Sequence, residues 1–388
     1  MRGTAAAVTT LTTLNPDSTA DAVGFGNTAE AIARGLREGS PYLYTAHSID
    51  LPQLLVPLIT SDTYALWGTF LAPFWLLPGP SGFYARLGNA LLGAFAVYNV
   101  YLIARYYHSH QAGVIAALPM TFYPSVVAVQ TTLLREAIIL FGITTAARLL
   151  MLPSRRRSRL PSYGLAGIVL HVSLLQRDDN VFIFVAAIAA ALAVYAVRAG
   201  FLSRRSIALG ASLSPVAFVL SLPLVRNGIE FLAYTREVRA SGRTVYLPQI
   251  IPQTVIELIA FSWIGAMYFL YAPFPWMIET IPDLLVSIEG LINVAFTVAG
   301  IWGVRSLGKK NVPATVGLLV GLAVAVVLYG VGTVNYGTGM RHRQMFIWIV
   351  FLFGGIGISE HVRFAWPFQW RSDDTTDAGA RTVDSGAD

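Results

Sequence analysis

Long apolar runs separated by short polar turns dominate the chain from about residue 82 to 360. They fall at about 83–106, 112–127, 133–152, 163–175, 181–197, 207–225, 284–304, 316–334 and 345–358. Several reach the roughly 17 to 25 residues that a helix needs to cross a bilayer. A transmembrane barrel would instead show short alternating strands. The pattern predicts an all-α, polytopic membrane protein with about nine transmembrane helices. Two further stretches are too short or too interrupted to fit that series. Residues 63–79 are apolar and aromatic with an internal Pro73, and they read as a helix lying at the interface, a spanning helix being the alternative. Residues 255–271, followed by PFPW, read as re-entrant or interfacial. Earlier still, Asp21, Phe25, Ala29, Ile32 and Gly35 recur at helical spacing and predict a short helix.

Charge then orients the spans. The chain is 55% hydrophobic and only 12% charged, against about 25% charged in a soluble domain. Its net charge of +6 is no nucleic-acid signal, because the basic residues gather in short loops between spans. Arg155, Arg156, Arg157 and Arg159 mark one cytoplasmic loop. Arg198, Arg204 and Arg205 mark a second, and Arg305, Lys309 and Lys310 a third. Walking the alternation from these loops puts the N-terminus outside and the C-terminus in the cytoplasm. The four inner loops hold eleven Lys or Arg and no acid, whereas all fifteen Asp and Glu before Glu360 fall on the outer side. Three regions follow: an outer acidic loop region with interfacial helices (1–81), a transmembrane helical domain (82–360) and an acidic cytoplasmic tail expected to be disordered (361–388). The start, MRGTAAAVTTLTTL, is a poor signal peptide and too polar to span. Cysteine is absent, which removes disulfides and thiolate metal sites.

An outer face rich in both carboxylates and arginines is where chemistry belongs. Arg341, His342 and Arg343 stand in a row at the mouth of the last span. They read either as a headgroup anchor or as a phosphate clamp, since guanidinium groups grip phosphate bidentately. Asp17 and Asp21 lie four apart and share a face if helical. They read as a solvated helix start or as a general base, a carboxylate that takes the proton from an attacking hydroxyl. Glu136 opens a span, where the macrodipole favours an acid; the functional alternative is a second active-site acid. Arg177, Asp178 and Asp179 form a charged outer turn, or a place for a metal or sugar hydroxyls. Glu289 lies over one turn inside a span, which makes it a functional candidate or a snorkelling, ion-paired acid. His108 and His110 have ligand-like spacing but face the cytoplasm. There is no Walker loop and no dinucleotide fingerprint, and the inner loops are too short for a nucleotide-binding domain. An activated substrate therefore has to arrive within the membrane.

Four pieces in order carry a resemblance: PDS at 16–18 with Asp21, Phe25, Ala29, Ile32 and Gly35; RLGNALLGA at 86–94; FYPSVVAVQTTLLREAII at 122–139, with Glu136; and RHR at 341–343. Taken together the chain resembles the GT-C class of integral-membrane glycosyltransferases, in particular its bacterial and archaeal members that are RgtA/B/C/D-like or dolichyl-phosphate-mannose mannosyltransferase-like. The resemblance implies transfer of a sugar from a polyprenyl-phosphate donor to a glycan or protein acceptor on the extracytoplasmic face of the cell membrane. By that resemblance Asp17 or Asp21 activates the acceptor hydroxyl. Arg341 and Arg343, with His342, hold the leaving phosphate. A divalent cation is a further candidate cofactor. The family begins with a spanning helix ahead of the acidic loop, and none is visible here; the adjacent acid pair of better-known members is replaced by spaced acids. Competing readings are a lipid-linked glycan polymerase or ligase, a non-enzymatic transporter or flippase, and an inactive relative. A transporter tends to show internal repeats with helices broken at the midplane, and no repeat is visible.

Overall fold

The computed structural model describes residues 1–11, 20–39, 63–153, 159–201 and 226–362, apart from 231, 235, 239 and 241. Asp17, the apolar run at 207–225 and the tail after 362 lie outside the described residues. Those described are helical, with one isolated bridge between Val245 and Asn335. Helix α1 (Arg2–Leu11) was not expected; it is held by Arg2, which donates to the Met120 carbonyl at 2.6 Å and to Gln130 at 3.1 Å. Helices α2 (Ala20–Arg37) and α3 (Thr63–Leu76) match the two amphipathic or interfacial stretches. Trp67, Leu71, Phe25 and Ala29 pack between them and reach Leu133.

Helix α4 (Ser81–Tyr107) is the first long span, and the Ser109 hydroxyl caps α5 (His110–Phe122) by accepting from the Ala112 amide at 3.1 Å. Pro124 has no N–H to give and pushes Tyr123 into an extended conformation, so α6 (Pro124–Gln130) leaves α5 at 68°. Helices α7 (Glu136–Met151), α8 (Leu160–Gln176) and α9 (Asn180–Arg198) follow. Further along the chain come α10 (Val255–Tyr271), α11 (Ile281–Lys310) and α12 (Val312–Gly332). Thr280 and Asp283 form a capping box that starts α11, and Asn311 caps α12. The last pair, α13 (Tyr336–Arg343) and α14 (Ile347–His361), is bent by 63°.

Four helices, α4, α9, α11 and α12, are long and apolar enough to cross a membrane, or up to six if each bent pair is one span. The described residues thus carry four to six of the nine expected spans. Of the other three, α7 has 16 residues and α8 has 17, below the roughly 20 that a perpendicular crossing needs, and 207–225 lies outside the described residues. The stretch expected to be re-entrant or interfacial is one continuous helix, α10, whose Gly265 packs against Gly330 of α12.

Helix α14 is the axis of the bundle. Every residue from His342 to Gly357 is buried, as a helix apolar all round must be. Lipid tails are as apolar as leucine, so close backbone approach through small residues, rather than escape from water, drives such packing. A Cβ on Gly357 would meet the Ala299 carbonyl of α11, and one on Gly355 would meet Ala116 of α5. Gly357→Leu is therefore expected to separate α14 from α11 at a cost of roughly 1–3 kcal/mol or more, read as a lower Tm in detergent.

The segment between α9 and α10 is fastened by Arg236. Arg236 is fully buried and donates to the carbonyls of Val331 (2.7 Å), Ile250 (2.9 Å), Leu247 (3.1 Å) and Thr333 (3.3 Å). Its guanidinium also lies 4.5 Å from the Phe261 ring centre. These bonds satisfy carbonyls at the end of α12 and fix the point from which α13 departs.

Candidate active site

Helix α13 carries the basic triplet. Asn335 caps it, accepting from the amides of Gly337 (2.8 Å) and Thr338 (3.3 Å). Successive helical residues point about 100° apart, and the structure divides the triplet accordingly. Arg341 meets the acids of other helices. His342 is buried with its ring 4.8 Å from that of Tyr329. Arg343 is buried and donates to the carbonyls of Leu270 (3.0 Å) and Ala272 (3.1 Å) at the end of α10.

Arg341 bridges two carboxylates that are far apart in sequence. Its Nη1 donates to Asp21 Oδ2 at 3.0 Å. Its Nη2 and Nε donate to Glu136 Oε1 at 3.1 and 3.3 Å. The scaffold explains why these groups meet. Trp67 Nε1 donates to the Leu133 carbonyl at 2.8 Å, and Asn89 donates to Thr132 (2.7 Å) and Leu134 (2.9 Å). Those bonds pin the turn before α7 so that Glu136 opens the helix. Asp21 lies in the first turn of α2 and accepts from the Tyr64 hydroxyl of α3 at 2.8 Å.

The network continues past Glu136. Arg177 comes within 4.0 Å of Glu136 and pairs with Asp179 at 3.3 Å. Tyr329 of α12 donates at 3.0 Å to Asp179 and at 2.8 Å to Asn180, and the Arg177 guanidinium lies 5.5 Å from its ring centre. Asp21, Glu136, Arg177, Asp179, Arg341 and His342 are thus one connected cluster. Asp178 is exposed and stands aside, its carboxylate accepting from the Asp179 amide at 3.0 Å. Glu289 is elsewhere: it lies about two turns inside α11, deeper than expected, and accepts from the Ser125 amide at 2.9 Å and from the Ser125 hydroxyl. His108 and His110 do not converge either, since His108 contacts Ser109 and Ser359 while His110 contacts Tyr101. Tyr64 and Tyr329 were not singled out from sequence. An aromatic in an apolar run reads as packing or an interface anchor, and nothing local marks its hydroxyl.

The acids differ in environment. The Glu136 side chain is fully buried, and its Oε2 has no hydrogen-bond partner among the described residues. Asp21 is 43% exposed. Burial pushes the Asp21 carboxyl up, but the Tyr64 hydroxyl and the Arg341 guanidinium outweigh it and hold it below the usual carboxylate range. Burial and the Asp21 contact raise the Tyr64 hydroxyl in turn. Tyr64→Phe is therefore expected to move Asp21 back toward its ordinary value, seen as a shift of the acid limb of activity to higher pH. An unmoved limb would show that the Tyr64 contact is not felt by the titrating group. Among the described residues no group of three or more His, Cys, Asp or Glu is arranged to hold a metal ion.

A family model described as dolichyl-phosphate-mannose-protein mannosyltransferase matches residues 66–224. Over that span the chain is similar to this family of membrane glycosyltransferases. The match includes Glu136, Arg177 and Asp179, whereas Asp21 and Arg341 join them through the fold. With four to six candidate spans, the chain is a multi-pass membrane protein. No curated protein and no solved structure matches the chain.

Proposed function

We propose that the chain transfers a sugar from a polyprenyl-phosphate carrier to a hydroxyl acceptor, glycan or protein, on the extracytoplasmic face of the membrane, with the C-terminus in the cytoplasm. The reading is carried by one observation: Arg341 joins Asp21 and Glu136 where the outer helices α2 and α3 meet α7 and α13. The segregation of acids from basic loops along the chain supports the outer face.

In this mechanism the acceptor oxygen attacks the anomeric carbon and Asp21 takes its proton. The bond from the anomeric carbon to the phosphate oxygen breaks, and the electron pair leaves with the lipid phosphate. Arg341 stabilises the charge that grows on that phosphate, a large term when donors are fixed in place beforehand. Glu136 Oε2, buried and without a partner among the described residues, accepts from a hydroxyl of the bound sugar. Arg177 and Tyr329 hold Asp179 and the Glu136 neighbourhood in register. Arg343 acts by locking α13 to the end of α10.

The test is sugar transfer in membranes containing the full chain, supplied with labelled polyprenyl-phosphate sugars and followed by release of polyprenyl phosphate. Turnover that depends on the chain supports the proposal. Absence of turnover with every such donor, in protein shown to be folded, sinks it.

A further inference from the structure

Glu289 is an intramembrane acid that the sugar-transfer mechanism leaves unused. It is buried, and a carboxylate at that depth is costly. Its contacts lead to both broken helices of the fold. Ser125 follows the Pro124 break at the start of α6, and its amide has no carbonyl to bond within that helix. Glu289 Oε1 accepts from this amide at 2.9 Å, and Oε2 accepts from the Ser125 hydroxyl. Gln344, at the other break, donates to the Ser125 carbonyl at 2.9 Å. Ser125 and Gln344 are both buried. One acid on α11 thus holds Ser125, and Ser125 holds the point where α13 turns toward α14.

A second set of bonds, from the next turn of α11, reaches the same place. Tyr123, on the near side of the Pro124 break, donates to Asn293 at 3.2 Å. Asn293 donates to the Leu270 carbonyl at 3.1 Å, and Arg343 donates to that same carbonyl at 3.0 Å. The charge of Arg343 also attracts Glu289. Both routes end on residues directly after Arg341, at Arg343 and Gln344. In the other direction α6 leads through the turn at 131–135 to Glu136. The two bends, of 68° and 63°, are fixed against one another here. We propose that Glu289 is a positioning residue: it locks the two bends together through Ser125 and so sets Arg341 against Glu136 and Asp21. The functional part of the inference rests on the glycosyltransferase reading; the geometric part does not. Where a misplacement of about 1 Å can cost a hundredfold in rate, such a lock acts without touching substrate.

The chain has no cysteine, so one pair of spin labels can report this geometry. Val23→Cys on α2, near Asp21, and Thr338→Cys on α13, one turn before Arg341, are at least partly exposed positions. Dipolar electron paramagnetic resonance on the folded full chain in nanodiscs is expected to give one narrow distance in this background. Glu289→Ala should broaden or displace it. Glu289→Gln should preserve it, because the amide oxygen accepts from the Ser125 amide while the NH2 donates to the Ser125 hydroxyl. Gln344→Met cuts only the link to α13, so it tests the lock even if Glu289→Ala does not fold, and it should shift the distance too. An unchanged distance in Gln344→Met, or in folded Glu289→Ala, would overturn the proposal. In sugar transfer, Glu289→Ala and Gln344→Met should each lower kcat/KM about ten- to hundredfold. The double variant should lose no more than the worse single one. Losses that multiply would mean separate routes and overturn the coupling. A large loss in Glu289→Gln at an unaltered distance would also overturn it, by making Glu289 a group in the chemistry. The distance needs no sugar transfer. The expected shifts in a chain inert with every sugar donor would therefore uphold the lock while sinking the transferase reading.

Discussion

Arg341→Ala is expected to lower sugar transfer by about a hundred- to thousandfold. The effect has two sources that must be separated. The first is loss of the fork that grips the leaving phosphate. The second is structural, because Arg341 is the closest cation to the fully buried Glu136 side chain, with Arg177 more distant at 4.0 Å. Removing one partner of a buried pair costs about 3–5 kcal/mol, and part of any lost rate would then be lost protein. Arg341→Lys resolves the two. It keeps a charge beside Glu136, so the Tm should stay near wild type. It replaces a planar bidentate donor by a point charge, so transfer should remain well below wild type. Guanidinium ion added to Arg341→Ala should restore part of the rate. Full activity in Arg341→Lys, or a rate loss in Arg341→Ala that tracks the folded fraction alone, would remove Arg341 from phosphate binding.

The long spans were legible because their signal is local and redundant: α4, α9, α11 and α12 each repeat an apolar message over many residues. The helices of 16 and 17 residues were read as spans because hydropathy reports composition and not how far a helix is tilted or bent. The site was half legible. Asp21 and Arg341 are 320 positions apart, and Glu136 and Arg341 are 205 apart. No spacing rule links them, yet sorting charges by membrane side put all three on one face. The three basic residues of α13 looked equivalent in a row, whereas helical geometry sends one to the acids, one to an aromatic ring and one to the carbonyls of α10. Arg236 was unreadable for a related reason: a cation in a polar loop looks solvated until the carbonyls at the end of α12 are seen to need donors.

Asp21→Asn should abolish most transfer, by about a hundred- to ten-thousandfold, with the fold retained. Asparagine keeps the shape and one carbonyl oxygen, which can accept from Arg341 while its NH2 faces the Tyr64 hydroxyl oxygen, and Arg341 keeps Glu136. What is lost is the capacity to take a proton. The pH dependence carries the sharper test. In the resting site Asp21 is held below the ordinary carboxylate range, so it is ionised at neutral pH. Its stabilising contribution is present above the unfolded carboxylate pKa and lost only as pH falls through the lower folded value. Wild type and Asp21→Asn should therefore converge in stability at acid pH and diverge above it. Activity follows a second logic. In the resting site Arg341 is engaged by Asp21, whereas a bound donor phosphate competes for the same guanidinium. Drawing that charge away raises the Asp21 carboxyl and makes it a better base once the donor is in place. The acid limb of kcat, which reports the loaded enzyme, should then lie at higher pH than that of kcat/KM, which reports the free enzyme. Both limbs should vanish in Asp21→Asn. If that variant keeps its rate and its acid limb, the proton goes elsewhere, and Asp17→Asn and Glu136→Gln tested the same way will show which carboxylate receives it.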